Sequence, residues 1–156
     1  MFLVDLAKKF DIEKVPYALV GGLAVALHGA ARGTVDIDLV LKLQLKYIKK
    51  AVEVFRDFGM QSRIPITPEN LISFRKEYIK NKNLIAWNFF DENDFSKNVD
   101  IIITEDLNKI KTVVKKVDGY EIKVASIKDL IKMKKKSNRL QDIEDIKSLK
   151  VLDEEN

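Results

Sequence analysis

Two acids spaced two residues apart, Asp36 and Asp38, interrupt an otherwise apolar stretch from Val35 to Leu41. If residues 35–41 form a strand, side chains at i and i+2 leave the same face, so both carboxylates stand together about 7 Å apart. Ile37 and Leu39 then point the other way, into packing. Like charges at the edge of an apolar core repel, and such a core does not hold unpaired carboxylates. A hard divalent cation, Mg²⁺ or Mn²⁺, resolves the conflict, because it takes one or two carboxylates and completes its shell with water and phosphate.

Upstream, Tyr17 to Val20 is a short apolar run that breaks at Gly21-Gly22 and resumes as Leu23-Ala24-Val25-Ala26-Leu27. The pattern reads as strand, glycine turn and helix. Glycines permit close backbone approach, and free amides at the positive end of a helix attract phosphate. Gly21 and Gly22 are therefore candidate phosphate ligands, with thirteen residues between Gly22 and Asp36. Either half alone is common. The two in this order are far more specific.

The pattern resembles the nucleotidyltransferase fold of the DNA polymerase β superfamily, whose signature is Gly-Gly or Gly-Ser followed by D-x-D or D-x-E. It is most similar to small prokaryotic members that read G-G-x-A, H-G, R-x-T and D-I-D, here Gly21 to Ala24, His28-Gly29, Arg32 to Thr34 and Asp36 to Asp38. Toxin-type nucleotidyltransferases of toxin–antitoxin and phage-defence systems are among them. The likeness returns at Ser126 to Lys134 and at Arg139 to Ile146, which resemble the family's lysine-bearing helix and its R-x-x-D-x-x-D segment. Between these regions only the order of elements matches. The resemblance implies an α/β (α+β) fold, a mixed sheet flanked by helices with further helices at the C-terminus. It also implies a metal-dependent transfer of NMP from an NTP to a hydroxyl of RNA, protein or a small molecule, and for toxin-type members an antitoxin partner. A third carboxylate on a neighbouring strand belongs to the family pattern. Asp100, opening the run Val99 to Ile103, is the best candidate, ahead of Asp91, Asp94 and Asp106; the alternative for Asp100 is a solvent-facing strand start. Lys134 aligns with a recurrent lysine near the nucleotide phosphates.

The implied site comprises Asp36, Asp38 and Asp100 as catalytic and metal-binding acids, with Gly21, Gly22, Arg32, Thr34 and Lys134 on the nucleotide. Arg32 can reach phosphate or pair with Asp36 or Asp38, and Thr34 can also simply cap a turn. His28 on an apolar helix reads first as a hydrogen-bonded packing residue. The run Lys128, Lys132, Lys134, Lys135, Lys136 and Arg139 is, Lys134 apart, a candidate solvated helix face. Asp142 and Asp145 share a helix face and can either orient Lys134 or Arg139 or form surface ion pairs. Trp87, Phe89 and Phe90 can stack on a base, but as strand residues they read first as core.

The 156 residues suffice for one domain spanning the chain, since no Pro/Gly/Ser-rich linker divides them. Absence of cysteine excludes thiolate chemistry, and one histidine excludes a multi-histidine zinc site. No apolar run is long enough to span a membrane and residues 2–10 are an amphipathic helix, so a cytoplasmic, membrane-free protein is expected. The net charge of +4 suits a nucleotide or RNA without deciding between them. A protein of this pattern that is catalytically silent, binding nucleotide or RNA, is the competing reading.

Periodicity predicts helices over 2–10, 23–30, 44–58, 67–80, 126–136 and 139–149. Strands are predicted over 17–20, 35–41, 84–90, 99–104, 112–117 and 120–124, the last two joined by the hairpin dipeptide Asp118-Gly119.

Overall fold

The computed structural model describes residues 1–155. Its elements follow the order α1 (Phe2–Ile12), β1 (Tyr17–Val20), α2 (Gly21–Leu27), β2 (Ile37–Leu41), α3 (Leu45–Asp57), β3 (Gln61–Ser62), α4 (Pro68–Lys82), β4 (Ala86–Asp91), β5 (Asp94–Ile102), β6 (Thr112–Val117), β7 (Tyr120–Ala125), α5 (Ile127–Ser137) and α6 (Leu140–Glu155), with a single 3₁₀ turn at Leu107–Lys109. The seven strands form one mixed sheet in the order β3-β4-β5-β2-β1-β7-β6. β2 runs antiparallel to β1 and parallel to β5, and β1 runs parallel to β7.

Side-chain alternation divides the sheet into two chemically different faces. Leu19, Leu39, Ile101 and Trp87 stand in register across β1, β2, β5 and β4, and all are buried. On this face Phe10 of α1 packs on Tyr17 and on Phe55 of α3, and Phe55 packs on Phe89 beside Trp87, with ring centroids 4.7–5.9 Å apart. Trp87 and Phe89 are therefore core, and they are not available to a base. The next row, one residue along each strand, reads Val20, Asp38, Asp100, Asn88 and emerges on the opposite face. There α2, α5 and α6 pack on one another and cover part of the sheet.

Several boundaries differ from expectation. β2 begins at Ile37 and not at Val35, because β1 turns into α2 after Val20, whose partner is Asp38, so residues 35 and 36 have no antiparallel neighbour. Val35 is 72% exposed. Helix α2 begins at Gly21 itself and stops at Leu27, just before Gly29, which adopts φ +117°. β5 starts five residues earlier than predicted and forms a hairpin with β4 through Glu92-Asn93, in a polar segment without an apolar signal. Asp100 thus lies inside a strand and does not open one. The capping signals act as expected. Thr67 and Asn70 form a reciprocal capping box ahead of Pro68, and Ser126 caps α5 through the Asp129 N–H. Among the described residues no helix is long and apolar enough to cross a membrane.

Candidate active site

The acid row opens into a cavity of about 800 Å³ lined by Gly21, Gly22, Arg32, Thr34, Asp36, Asp38, Asp100, Lys134, Arg139 and Asp142, with Ile85, Ala86, Ile102, Leu130 and Met133 as an apolar wall. All eight residues expected at the site from the sequence meet here. They come from five separate stretches of chain, which the register of β1, β2 and β5 and the α5–α6 hairpin bring together.

Asp38 is central. It lies between Val20 and Asp100 in register, and Asp36 precedes the strand beside it. Burial, followed by the charges of Asp100 and Asp36, pushes its carboxyl up to about 7, against an opposing pull from Lys134 and Arg139. Gly21 explains how the backbone tolerates this group. It adopts φ +72°, and a Cβ added there would lie 2.0 Å from Asp38 Oδ2. Both the left-handed backbone and the space demand glycine. Gly22 is packed differently, since a Cβ there would meet the Arg32 guanidinium at 3.0 Å and the Thr34 methyl at 3.1 Å.

Opposite the acids stands a lattice of cations that are themselves held. Lys134 is buried and lies 2.8 Å from Asp145 Oδ2 and 3.4 Å from Asp142 Oδ1. Arg32 pairs with Asp145 at 3.0 Å, and not with Asp36 or Asp38 as was expected to be one of its choices. Arg139 donates to Asp142 Oδ2 from its backbone N–H at 2.9 Å and from Nε at 3.0 Å. Burial alone would raise the carboxyl pKa of Asp142 and Asp145. Hydrogen bonds from Arg139 in the first case, and from Lys134, Arg32 and Gln141 in the second, outweigh burial and hold both below the ordinary carboxylate range. The Asp142/Asp145 face is therefore an internal clamp and not a set of surface pairs. Lys128, Lys132 and Lys135 are exposed, as a solvated face requires. Lys136 and Arg139 are also exposed yet line the cavity.

His28 takes the packing role. Its Nε2 is 2.9 Å from the Ala125 carbonyl, burial depresses its pKa, and it does not line the cavity. Sequence reasoning missed Asn88, which donates to Asp100 Oδ1 at 2.7 Å, and Arg63, which donates to Asn88 Oδ1 at 2.9 Å. The available signal was the lone polar residue between Trp87 and Phe89, which alternation must turn toward the acids.

Among the described residues no three His, Cys, Asp or Glu side chains converge as a ready metal cage. The donor set of Asp36, Asp38 and Asp100 nevertheless fits a hard cation that shares its shell with phosphate and water, because Asp38 is a partly buried carboxylate flanked by two like charges.

A family model described as "Nucleotidyltransferase of unknown function (DUF6036)" matches residues 3–156. No curated protein matches the chain. Among solved structures, the lincosamide antibiotic adenylyltransferase LnuA with lincomycin bound superposes with a TM-score of 0.64 at 19% identity, over 97% of this chain and 94% of that one. ANT(2'')-Ia in complex with adenylyl-2''-tobramycin superposes with a TM-score of 0.61 at 12% identity, over 96% and 88% of the two chains. A putative nucleotidyltransferase from Thermotoga maritima gives 0.62 at 18% identity, over 98% and 91%. These likenesses establish the fold.

Proposed function

As the chain belongs to this nucleotidyltransferase family, we propose that it transfers NMP from an NTP to a hydroxyl acceptor with release of pyrophosphate, in a reaction that depends on Mg²⁺ or Mn²⁺. The observation that supports the reading is the convergence of Asp36, Asp38 and Asp100 with the Gly21-Gly22 turn, Lys134 and Arg139 on one cavity of about 800 Å³, within the size range of small-ligand sites.

Asp36 and Asp38 would hold the cation, and Asp100 would share it or take the proton of the attacking hydroxyl. When bound, the metal supplies charge neutralisation at the phosphates. Gly21 and Gly22 let the triphosphate approach the backbone. Lys134, Arg32 and Arg139 face its negative charge from the other wall, already oriented by Asp142 and Asp145, so little reorganisation is needed as charge builds on the leaving group. Asp100, in register with Asp38, would accept a proton from a hydroxyl arriving over β5. The antibiotic-modifying neighbours act on small molecules, as their names state, which supports a small-molecule hydroxyl as acceptor.

Asp100→Asn tests the assignment. It should weaken metal-dependent NTP binding by only about tenfold, since Asp36 and Asp38 remain, and lose transfer by about a hundredfold or more. Calorimetry with each NTP and transfer of label to pools of small molecules, RNA and protein supply the two measurements. Equal transfer by mutant and wild type would remove Asp100 from the mechanism. Binding without transfer by wild type, across all NTPs and acceptor pools, would favour the catalytically silent reading.

A further inference from the structure

The acids around the cavity are held in two different ways. On the α5–α6 side, Asp142 and Asp145 are neutralised by Arg and Lys. On the β4–β5 side, among the described residues, no cation forms an ion pair with Asp36 or Asp100; amides face them instead. Asn88 Nδ2 donates to Asp100 Oδ1 at 2.7 Å and to Asn98 Oδ1 at 2.6 Å. Asn98 in turn directs its own Nδ2 toward Asp36 Oδ1 at 3.5 Å.

The polarity of this chain is set from its outer end. Arg63 Nε donates to Asn88 Oδ1 at 2.9 Å. A guanidinium has donors only, and an ionised carboxylate has acceptors only. Asn88 between them therefore has one acceptable orientation, with oxygen toward Arg63 and NH₂ toward Asp100. A reversed amide would set donor against donor at one end and oxygen against oxygen at the other. Arg63 is itself fixed, by its backbone N–H to the Asn88 carbonyl at 2.9 Å and by its guanidinium 4.2 Å from the centre of the Phe90 ring.

We propose that Arg63 and Asn88 form a positioning relay for Asp100, in which Arg63 orients the Asn88 amide and Asn88 occupies Asp100 Oδ1, so that Oδ2 alone is presented to the cavity. The inference rests on the nucleotidyl-transfer reading for what Oδ2 then meets, a cation or an acceptor hydroxyl. A neutral amide suits this place better than a lysine or arginine would. It holds one carboxylate oxygen by donating to it, yet adds no full charge to compete with a cation for the acid. Hydrogen bonds in series polarise one another, so the guanidinium strengthens the last link without touching it. Neither Arg63 nor Asn88 needs to contact substrate.

Two measurements test the relay. The first is Mn²⁺ affinity in the presence of a non-hydrolysable NTP. Asn88→Ala and Arg63→Ala should each weaken it by up to about tenfold, no more than loss of the Asp100 carboxylate itself and the low end of the usual scale for residues that orient metal ligands. Arg63→Lys, which keeps a donor-only cation, should recover part of the loss, and Asn88→Ala placed in an Asp100→Asn background should add little. Unchanged Mn²⁺ affinity in a folded Asn88→Ala protein would overturn the relay. The second is the side-chain amide ¹H–¹⁵N signal of Asn88 in the free protein, which needs neither metal nor nucleotide. It should move when Asp100→Asn or Arg63→Ala is introduced, and indifference to both would also overturn the relay. If wild type binds no Mn²⁺–NTP while the amide signal responds to both substitutions, the nucleotidyl-transfer reading fails and the relay stands.

Discussion

Replacing Asp38 by asparagine should make the metal-free protein more stable at alkaline pH while removing the function proposed for it. Asp38 is displaced from an ordinary 3.8 to about 7 by burial and by the charges of Asp100 and Asp36. Between those values the folded protein holds a proton that the unfolded chain has released, so stability falls as pH rises through that window. At about 1.36 kcal/mol per pH unit, the full displacement comes to about 4 kcal/mol lost by pH 8. Asparagine keeps the shape and has no charge to desolvate. Asp38→Asn should therefore match wild type near pH 4 and exceed it by up to about 4 kcal/mol at pH 8, or roughly 10 °C in Tm for a chain of this length. Urea unfolding in EDTA from pH 4 to 8 measures the difference directly. Added Mg²⁺ and NTP should stabilise wild type and have little effect on the mutant. Parallel pH profiles for the two proteins would refute the claim that Asp38 is a partly desolvated, charge-crowded carboxylate.

Gly21→Ala would force a left-handed residue to carry a Cβ 2.0 Å from Asp38 Oδ2; it should cost about 1–2 kcal/mol and, by swinging the carboxylate away, abolish metal-dependent NTP binding in calorimetry. Gly22→Ala, which presses only on the ends of Arg32 and Thr34, should be milder in both measurements, and the reverse ranking would contradict the packing described. Asp145→Ala removes a partner from buried Lys134 and from Arg32 and should cost about 3–5 kcal/mol in urea unfolding, the usual cost of breaking a buried pair; a loss under 1 kcal/mol would show that the clamp is not buried. Since Asp142 and Asp145 lie below the ordinary carboxylate range, the stability they confer is complete above about pH 4 and is lost on further acidification.

What the sequence made legible was local. A glycine pair after an apolar run and two acids in alternation each follow from rules that span a few residues, and both landed in one cavity. The apolar face of the sheet was also readable, because Tyr17, Leu39, Ile101 and Trp87 obey a period of two. Asp100 needed the family resemblance, since a strand residue gives no hint of which strand lies beside it. The misplaced start of β2 has the same origin: Val35 is β-branched and apolar, but its conformation was decided by the end of β1, fifteen residues away. The Asp142/Asp145 clamp and the Asn88 relay depend on partners from other elements. Charge at i and i+3 on a helix looks the same whether it meets solvent or a buried lysine.

The link between Arg32 and Asp145 joins residues 113 positions apart. During synthesis the glycine turn and the acid pair emerge well before α6, which carries the residues that orient the cations. At the ordinary pace of translation, that interval is roughly 6 to 20 s. A nascent or truncated chain that ends before α6 carries the acids without the clamp that sets Lys134, Arg139 and Arg32 against them. The order of synthesis thus delivers the acids of the cavity well before the residues that set its cations.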